Sequence, residues 1–210
     1  MIRALIDVAF NNEVRKVVKK SYRRTIDVQF GVYTGEEYTG WLTINLKPSH
    51  GLRDWLINLM AIRGGEGVHL GYWREVLKYW DDLNRAVIEG TPELAEAKRK
   101  GVLVSGRSKG GAEALLIGAL LWRPNLPLLI GAIEPPNCVD KALARKLEEK
   151  LGRENIQSTC YKNDIVPGIP PWFTYPGERR QIGKRRLGIS FRDHVWSTTE
   201  EELIYDGCGW

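Results

Sequence analysis

A serine set between two glycines is the residue pattern in this chain best suited to chemistry. Residues 106–110 read Gly-Arg-Ser-Lys-Gly, the pattern G-x-S-x-G, between a short apolar run and an apolar helical run. A tight turn from strand to helix raises such a serine, here Ser108, above the sheet, where its hydroxyl can attack a carbonyl carbon. The backbone N–H of Lys109 and the positive end of the helix dipole would face the oxyanion that forms. The alternative is a glycine-rich turn in which Ser108 only caps the helix.

A nucleophilic serine needs a base, and the chain offers three histidines, His50, His69 and His194. In α/β-hydrolases, where this serine turn is typical, the acid and then the histidine follow the serine along the chain. Only His194 follows Ser108. The order therefore predicts His194 as the base.

The carboxylate that would orient this base must also follow the serine. The acidic candidates are Glu134, Asp140, Asp164 and Asp193. Asp193 adjoins His194 and is poorly placed to reach the far ring nitrogen, while Asp140 starts a predicted helix and favours its dipole. Asp164 comes just after a predicted strand, 156–161. We therefore predict that Asp164 fixes the histidine tautomer and stabilises the imidazolium.

The second half of the chain predicts the elements that would position these residues. The sequence predicts short strands at 101–105, 128–133 and 156–161, of which 128–133 is a near-continuous apolar run, and helical patterns predict helices at 109–122 and 139–151. This alternation is typical of right-handed crossovers in a mostly parallel sheet with helices on both faces. Ligands of such sheets bind beyond the carboxyl ends of the strands, where Ser108 and Asp164 both fall.

The first half predicts a different set of elements. Apolar spacing predicts a helix over 12–22, and alternation predicts strands over 25–33 and 38–46 that form an antiparallel hairpin at one edge of the sheet. The remaining predictions are helices at 52–60 and 72–88, a proline-rich loop at 163–175 and a short final helix capped by Thr198 and Glu201.

Composition limits the classes of protein that fit. The chain has 210 residues, 43% hydrophobic and 27% charged, which are ordinary values for a globular protein, and we expect a single α/β domain over 1–210. The net charge of +5 and 8 tryptophans raise nucleic-acid binding as an alternative, but no nucleic-acid motif is present and the tryptophans fall at helix positions suited to core packing. The basic cluster at 179–186 is expected to be a solvated loop, with lipid headgroup contact as the alternative.

The three cysteines, Cys138, Cys160 and Cys208, match neither a disulfide framework nor a zinc site. We expect no metal and no cofactor. Reduced cysteines favour folding in the cytoplasm, and we see no secretory signal peptide or transmembrane segment.

Four segments, in order, resemble the motifs of the class 3 (fungal-type) lipase family. The nucleophile elbow of the family, which is the strand-to-helix turn that carries the serine, reads G-H-S-L-G-G-A and is matched by 106–112, Gly-Arg-Ser-Lys-Gly-Gly-Ala. The family segment D-x-V-P-x-x-P is matched by 164–170. V-H-x-G-F/Y is matched by 68–72, and R-G-T/S with N/D-W-hydrophobic resembles 47–49 and 54–56. The resemblance covers about residues 40 to 196 and implies an α/β-hydrolase fold that cleaves carboxylic esters.

Carried over by position, the resemblance gives Ser108 as nucleophile, Asp164 as acid and His194 as base. It also implies that Ser49 supplies a second oxyanion-hole N–H beside Lys109, and that His69 is structural. The stretch after Ser49 corresponds to the lid of the family. Its apolar stripe would either cover the site and contact lipid or pack on the core; the residues are Leu52, Trp55, Leu56, Leu59 and Met60.

The chain departs from the family where Arg107 and Lys109 replace the usual His and Leu, and where Lys47 and Pro48 replace Arg and Gly. It is also shorter, which predicts a shallow acyl groove. We expect an esterase or lipase that acts through an acyl-enzyme on acylglycerols, phospholipids or short- and medium-chain esters, with transient contact to a lipid interface and no nucleic-acid partner. The alternative is a catalytically silent binding protein on the same scaffold.

Overall fold

The computed structural model describes residues 1–10, 12–22, 26–48, 65–161 and 163–182. The predicted helix at 52–60 and the final helix capped by Thr198 lie outside these ranges. The described strands are β1 (Val14–Tyr22), β2 (Ile26–Tyr33), β3 (Leu42–Pro48), β4 (Val102–Arg107), β5 (Leu128–Ile133), β6 (Ile156–Tyr161) and β7 (Glu178–Ile182). The described α-helices are α1 (Ile2–Phe10), α2 (Leu70–Asp81), α3 (Pro92–Lys100), α4 (Lys109–Leu121) and α5 (Lys141–Leu151).

Several shorter helical segments complete these elements. A π-helical segment, Asp82–Glu89, continues α2, so the predicted helix over 72–88 is present with a change of winding. Three 3-10 turns lie at Gly65–Gly67, Arg153–Asn155 and Val166–Gly168. The last of these interrupts the predicted loop at 163–175.

The seven described strands form one sheet whose spatial order follows the chain, β1 to β7. β1, β2 and β3 pair antiparallel, and β3 to β7 pair parallel. This confirms the predicted mixed sheet with an antiparallel edge. The parallel strands β4 and β5 are buried on both faces, and the near-continuous apolar sequence of β5 predicts this.

The prediction of a helix over 12–22 is wrong, because this segment forms the edge strand β1. Val14, Val17 and Val18 have helical spacing, but a break in register between Lys16 and Val18 explains that spacing within a strand. Valine is β-branched and favours strands, so the pairing with β2 decides the outcome.

Three elements were not predicted: α1, α3 and β7. β7 carries Arg179 and Arg180, which were expected in a solvated loop. Its first four residues are exposed and only Ile182 is buried, so its sequence has no alternating apolar pattern to reveal it. Pairing with β6 holds it in the sheet.

Helices cover both faces of the sheet. α1 packs on one face, where Leu5 and Val8 meet Leu103 and Leu129. The opposite face carries α2 to α5, with Val102 and Val104 of β4 in that cluster. The alternation of β4 side chains between the two clusters is the period-two geometry of a strand.

α4 is the central helix of the larger layer, and all its residues from Lys109 to Gly118 are buried. An apolar helix buried all round is typical of a core element. Among the described residues, no helix has the length and apolar character needed to cross a membrane.

Candidate active site

Ser108 lies on the turn between β4 and α4 in a strained backbone conformation. Its φ of 52° and ψ of −125° fall in a region that residues with a side chain rarely adopt. The turn is held from both sides: the Ser108 N–H donates to the Ile133 carbonyl at 2.8 Å, and the Ser108 carbonyl accepts from the Gly111 N–H at 2.8 Å. Strain of this kind costs about 1–3 kcal/mol and persists where the surroundings fix it.

Two glycines permit the close packing around this turn. A Cβ at Gly106 would lie 2.3 Å from the Gly110 carbonyl oxygen, and one at Gly110 would lie 2.3 Å from the Leu46 carbonyl oxygen. Both distances are impossible for a real side chain. The pattern G-x-S-x-G therefore has a packing cause here: the first turn of α4 touches the backbones of β3 and β4.

Asp164 follows β6 and shapes its own turn. Its backbone N–H donates to the Tyr161 carbonyl at 3.2 Å, and its Oδ1 accepts from the Val166 N–H at 2.9 Å. Since β5 lies between β4 and β6, Ser108 and Asp164 stand at the same carboxyl edge, two strands apart. The other predicted triad member, His194, and the second oxyanion residue, Ser49, lie outside the described residues, as does the lid stretch from Leu52 to Leu59.

The loop that carries Asp164 is tied to the segment after β5. Val139 forms a backbone bridge with Thr174, and the Asn137 N–H donates to the Ile169 carbonyl at 2.9 Å. Asn137 Nδ2 also donates to the Pro170 carbonyl at 3.3 Å. These hydrogen bonds fix the position of the loop at 163–175 at the edge of the sheet.

Lys109 belongs to the first turn of α4, whose N–H groups have no acceptor within the helix. This leaves its N–H suited to an oxyanion. The side chain turns into the protein: it is 7% exposed, with Nζ 3.4 Å from Glu113 Oε1 and 3.9 Å from Glu75 Oε2.

Glu113 is fully buried and accepts a hydrogen bond from the Tyr79 hydroxyl at 2.6 Å. Burial raises the pKa of Glu113 from 4.5 to about 7, against the opposing effects of Lys109 and Tyr79. Burial also raises the pKa of Tyr79 well above its usual value, so Tyr79 stays a donor. Sequence reasoning missed this cluster, although a Lys and a Glu four residues apart in an apolar helix were its available signal.

Arg107, the other departure from the family, lies beside a second buried acid. Its Nη2 is 3.2 Å from Oε2 of Glu134, whose side chain is 1% exposed. Glu134 was one of the candidate acids, and its contact with Arg107 gives the buried carboxylate a counter-charge. The Arg107 side chain remains 37% exposed beside the serine.

His69 lies within the core. Its ring stacks on Tyr72, with 4.3 Å between centroids, and is 5.6 Å from the Phe173 ring. Its backbone N–H donates to the Cys138 carbonyl at 2.8 Å. Phe173 belongs to the loop at 163–175, so His69 contacts the loop that also carries Asp164.

The comparison with protein families decides the relationship. The model of the family described as Lipase (class 3) matches residues 31–174, more than half of the chain. The chain belongs to the class 3 lipase family. A search of curated proteins gave no match.

Solved structures of fungal lipases share the fold of this chain. The Rhizomucor miehei lipase–propeptide complex aligns with a TM-score of 0.65 at 19% identity, covering 83% of this chain and 58% of that one. Rhizopus niveus lipase II aligns with a TM-score of 0.65 at 19% identity, covering 90% and 78%. A triacylglycerol lipase whose catalytic centre is a serine protease triad aligns at 0.66 and 20% identity, covering 83% and 68%. The chain thus spans less than two thirds of the Rhizomucor miehei propeptide-complex chain.

Proposed function

We propose that this class 3 lipase hydrolyses carboxylic esters through an acyl-enzyme on Ser108. The strained turn at Ser108 carries the proposal. Ser108, with its φ of 52°, lies between the end of β4 and the N-terminus of α4. This supports the proposal because a hydroxyl there would reach a substrate carbonyl, and the N–H groups at the helix N-terminus would bind the oxyanion. A serine that only capped the helix would need neither this strain nor the two glycine contacts.

The proposed reaction has two halves. His194 takes the Ser108 proton as the hydroxyl oxygen attacks the ester carbonyl, and it then gives that proton to the departing alcohol. Water then attacks the acyl carbonyl as His194 takes its proton, and His194 returns that proton to Oγ of Ser108 as the Oγ–acyl bond breaks and the acid is released. Asp164 would orient the histidine, and the backbone N–H groups of Lys109 and Ser49 would bind the oxyanion in both halves.

Acylglycerols, phospholipids and short- or medium-chain esters are the proposed substrates, because the family and its structural neighbours are lipases. We also propose that the stripe Leu52, Trp55, Leu56 and Leu59 forms a lid that meets lipid when it opens. We also propose that residues 1–210 form one domain and that the protein contacts a lipid interface transiently.

Covalent labelling tests the nucleophile. A fluorophosphonate should label wild type once, and peptide mass spectrometry should place the label on Ser108. Ser108→Ala should bind no probe and lose about a millionfold in turnover of p-nitrophenyl butyrate, while its circular dichroism stays unchanged. An unlabelled wild type with no esterase activity would instead favour a silent binding protein on this scaffold.

A further inference from the structure

An ionic cluster lies inside the protein directly behind the proposed nucleophile. The Lys109 ammonium is 3.4 Å from Glu113 Oε1 and 3.9 Å from Glu75 Oε2. Tyr79 donates to the other Glu113 oxygen at 2.6 Å. The cluster therefore joins the first two turns of α4 to α2, and its first member is the residue that follows Ser108.

The position of this lysine is costly unless its charge is balanced. A cation at the start of a helix opposes the helix dipole, and burial of an ammonium costs several kcal/mol when it is unpaired. Glu113 and Glu75 supply the counter-charges, and Glu75 is itself paired with Lys78. An apolar side chain at 109, as in the family motif, would need none of these partners.

We propose that Lys109 is a positioning residue: its ion pairs with Glu113 and Glu75 anchor the first turn of α4 to α2 and fix the direction of the Lys109 N–H towards the oxyanion. This inference rests on the proposed esterase function. It concerns the side chain, whereas the N–H itself is the donor.

Anchoring matters at this place because the preceding residue is strained. Ser108 stores its strain immediately before Lys109, and relief of that strain would rotate the peptide group that carries the Lys109 N–H. An oxyanion donor acts only when it is held close to its productive direction, and misplacement by about 1 Å can cost about a hundredfold. The ion pairs of Lys109 hold the residue that directly follows the strained Ser108.

Protonation of Glu113 would weaken these ion pairs, so activity should follow the charge of Glu113. The groups that face it are Lys109 on its own helix and, from α2, Glu75 and Tyr79 with the Tyr72 ring nearby. Tyr22 of β1 stacks behind Tyr79, with 4.7 Å between ring centroids. The Tyr79 hydrogen bond favours the ionised carboxylate, while Glu75 disfavours it.

The test is the pH profile of kcat and KM on p-nitrophenyl butyrate for wild type and three variants. Lys109→Met should lower kcat about tenfold or more with KM within about threefold. Glu113→Gln should lower kcat above pH 7 and remove the component of the profile that titrates near pH 7. Tyr79→Phe removes only a hydroxyl, and it should move that component to higher pH because it raises the pKa of Glu113.

Lys98→Met is the matched control. Lys98 is also mostly covered and pairs with Glu89 and Asn84, but it lies on α3, away from Ser108. It should change the melting temperature without changing kcat or the pH profile.

Three results would overturn the inference: kcat of folded Lys109→Met within twofold of wild type, an unmoved profile in Tyr79→Phe, or a rise in kcat in Glu113→Gln. The last would mean that the ammonium acts through its charge on the oxyanion. These outcomes leave the proposed function intact if wild type is active and labelled. An inactive, unlabelled wild type would remove both.

Discussion

Glu113→Gln should change how the stability of this protein depends on pH. Glu113 is fully buried, and desolvation raises its pKa from 4.5 to about 7. A raised pKa means that the folded protein holds the proton more tightly than the unfolded chain does. The stabilising effect of that proton is complete below about pH 4.5 and is lost as the pH rises through 7.

The size of the effect follows from this shift. A rise from 4.5 to about 7 corresponds to about 3 kcal/mol across the whole range, since one pKa unit is worth about 1.4 kcal/mol. Most of that loss falls between pH 5 and pH 8. Glutamine mimics the protonated acid and does not titrate. The stability of Glu113→Gln relative to wild type should therefore be higher at pH 8 than at pH 5 by about 2–3 kcal/mol.

Urea unfolding at pH 5 and pH 8 measures this difference, with circular dichroism as the signal. Glu149→Gln, on the exposed side of α5, is the matched control and should show the same difference from wild type at both pH values. If the relative stability of Glu113→Gln were unchanged between pH 5 and pH 8, the carboxyl would not be held as a neutral acid at pH 5.

Three further predictions test other parts of the protein. His194→Ala should lower turnover about as much as loss of the nucleophile does. Asp164→Asn should lower turnover strongly but less, because the acid acts only through the histidine. A fully active His194→Ala variant would reject the triad. Gly110→Ala should lower the free energy of unfolding by about 1–3 kcal/mol or more, because its Cβ would lie 2.3 Å from a backbone oxygen. The control is Gly168→Ala, whose Cβ meets nothing within 4 Å and which should leave the free energy of unfolding nearly unchanged in the same urea titration. Trp55→Ser should reduce hydrolysis of emulsified long-chain esters more than of soluble short-chain esters, because an open lid exposes apolar area at about 25 cal/mol per Å² in water; equal losses with a lower melting temperature would show that Trp55 is only a core residue.

The sequence alone determined the parts whose signals are local. β5 is an almost continuous apolar run buried on both faces and β4 begins with three apolar residues, so both are visible along the chain. β6 was also predicted, although its sequence mixes apolar and polar residues. The elbow at Ser108 is local as well, because the glycines that its packing requires lie within two residues of it. The order of strands and helices was then enough to predict a parallel sheet and to place Ser108 and Asp164 at its carboxyl edge.

Only the tertiary structure decided the elements whose local signal is ambiguous or absent. The valines of β1 fit a helix or a bulged strand equally well, and pairing with β2 selected the strand. β7 has four exposed residues in five, so nothing but its pairing with β6 identifies it.

The charged groups around the elbow also needed the folded chain. Tyr79 and Glu113 are 34 residues apart, and Arg107 and Glu134 are 27 apart, yet each pair is in contact. A sequence shows that these residues are polar, but their protonation and their strength depend on burial and on partners brought together by the fold. The motif around Ser108 could therefore be read along the chain, and so could the spacing of Lys109 and Glu113, but the contacts of Glu75 and Tyr79 with this pair required the folded chain.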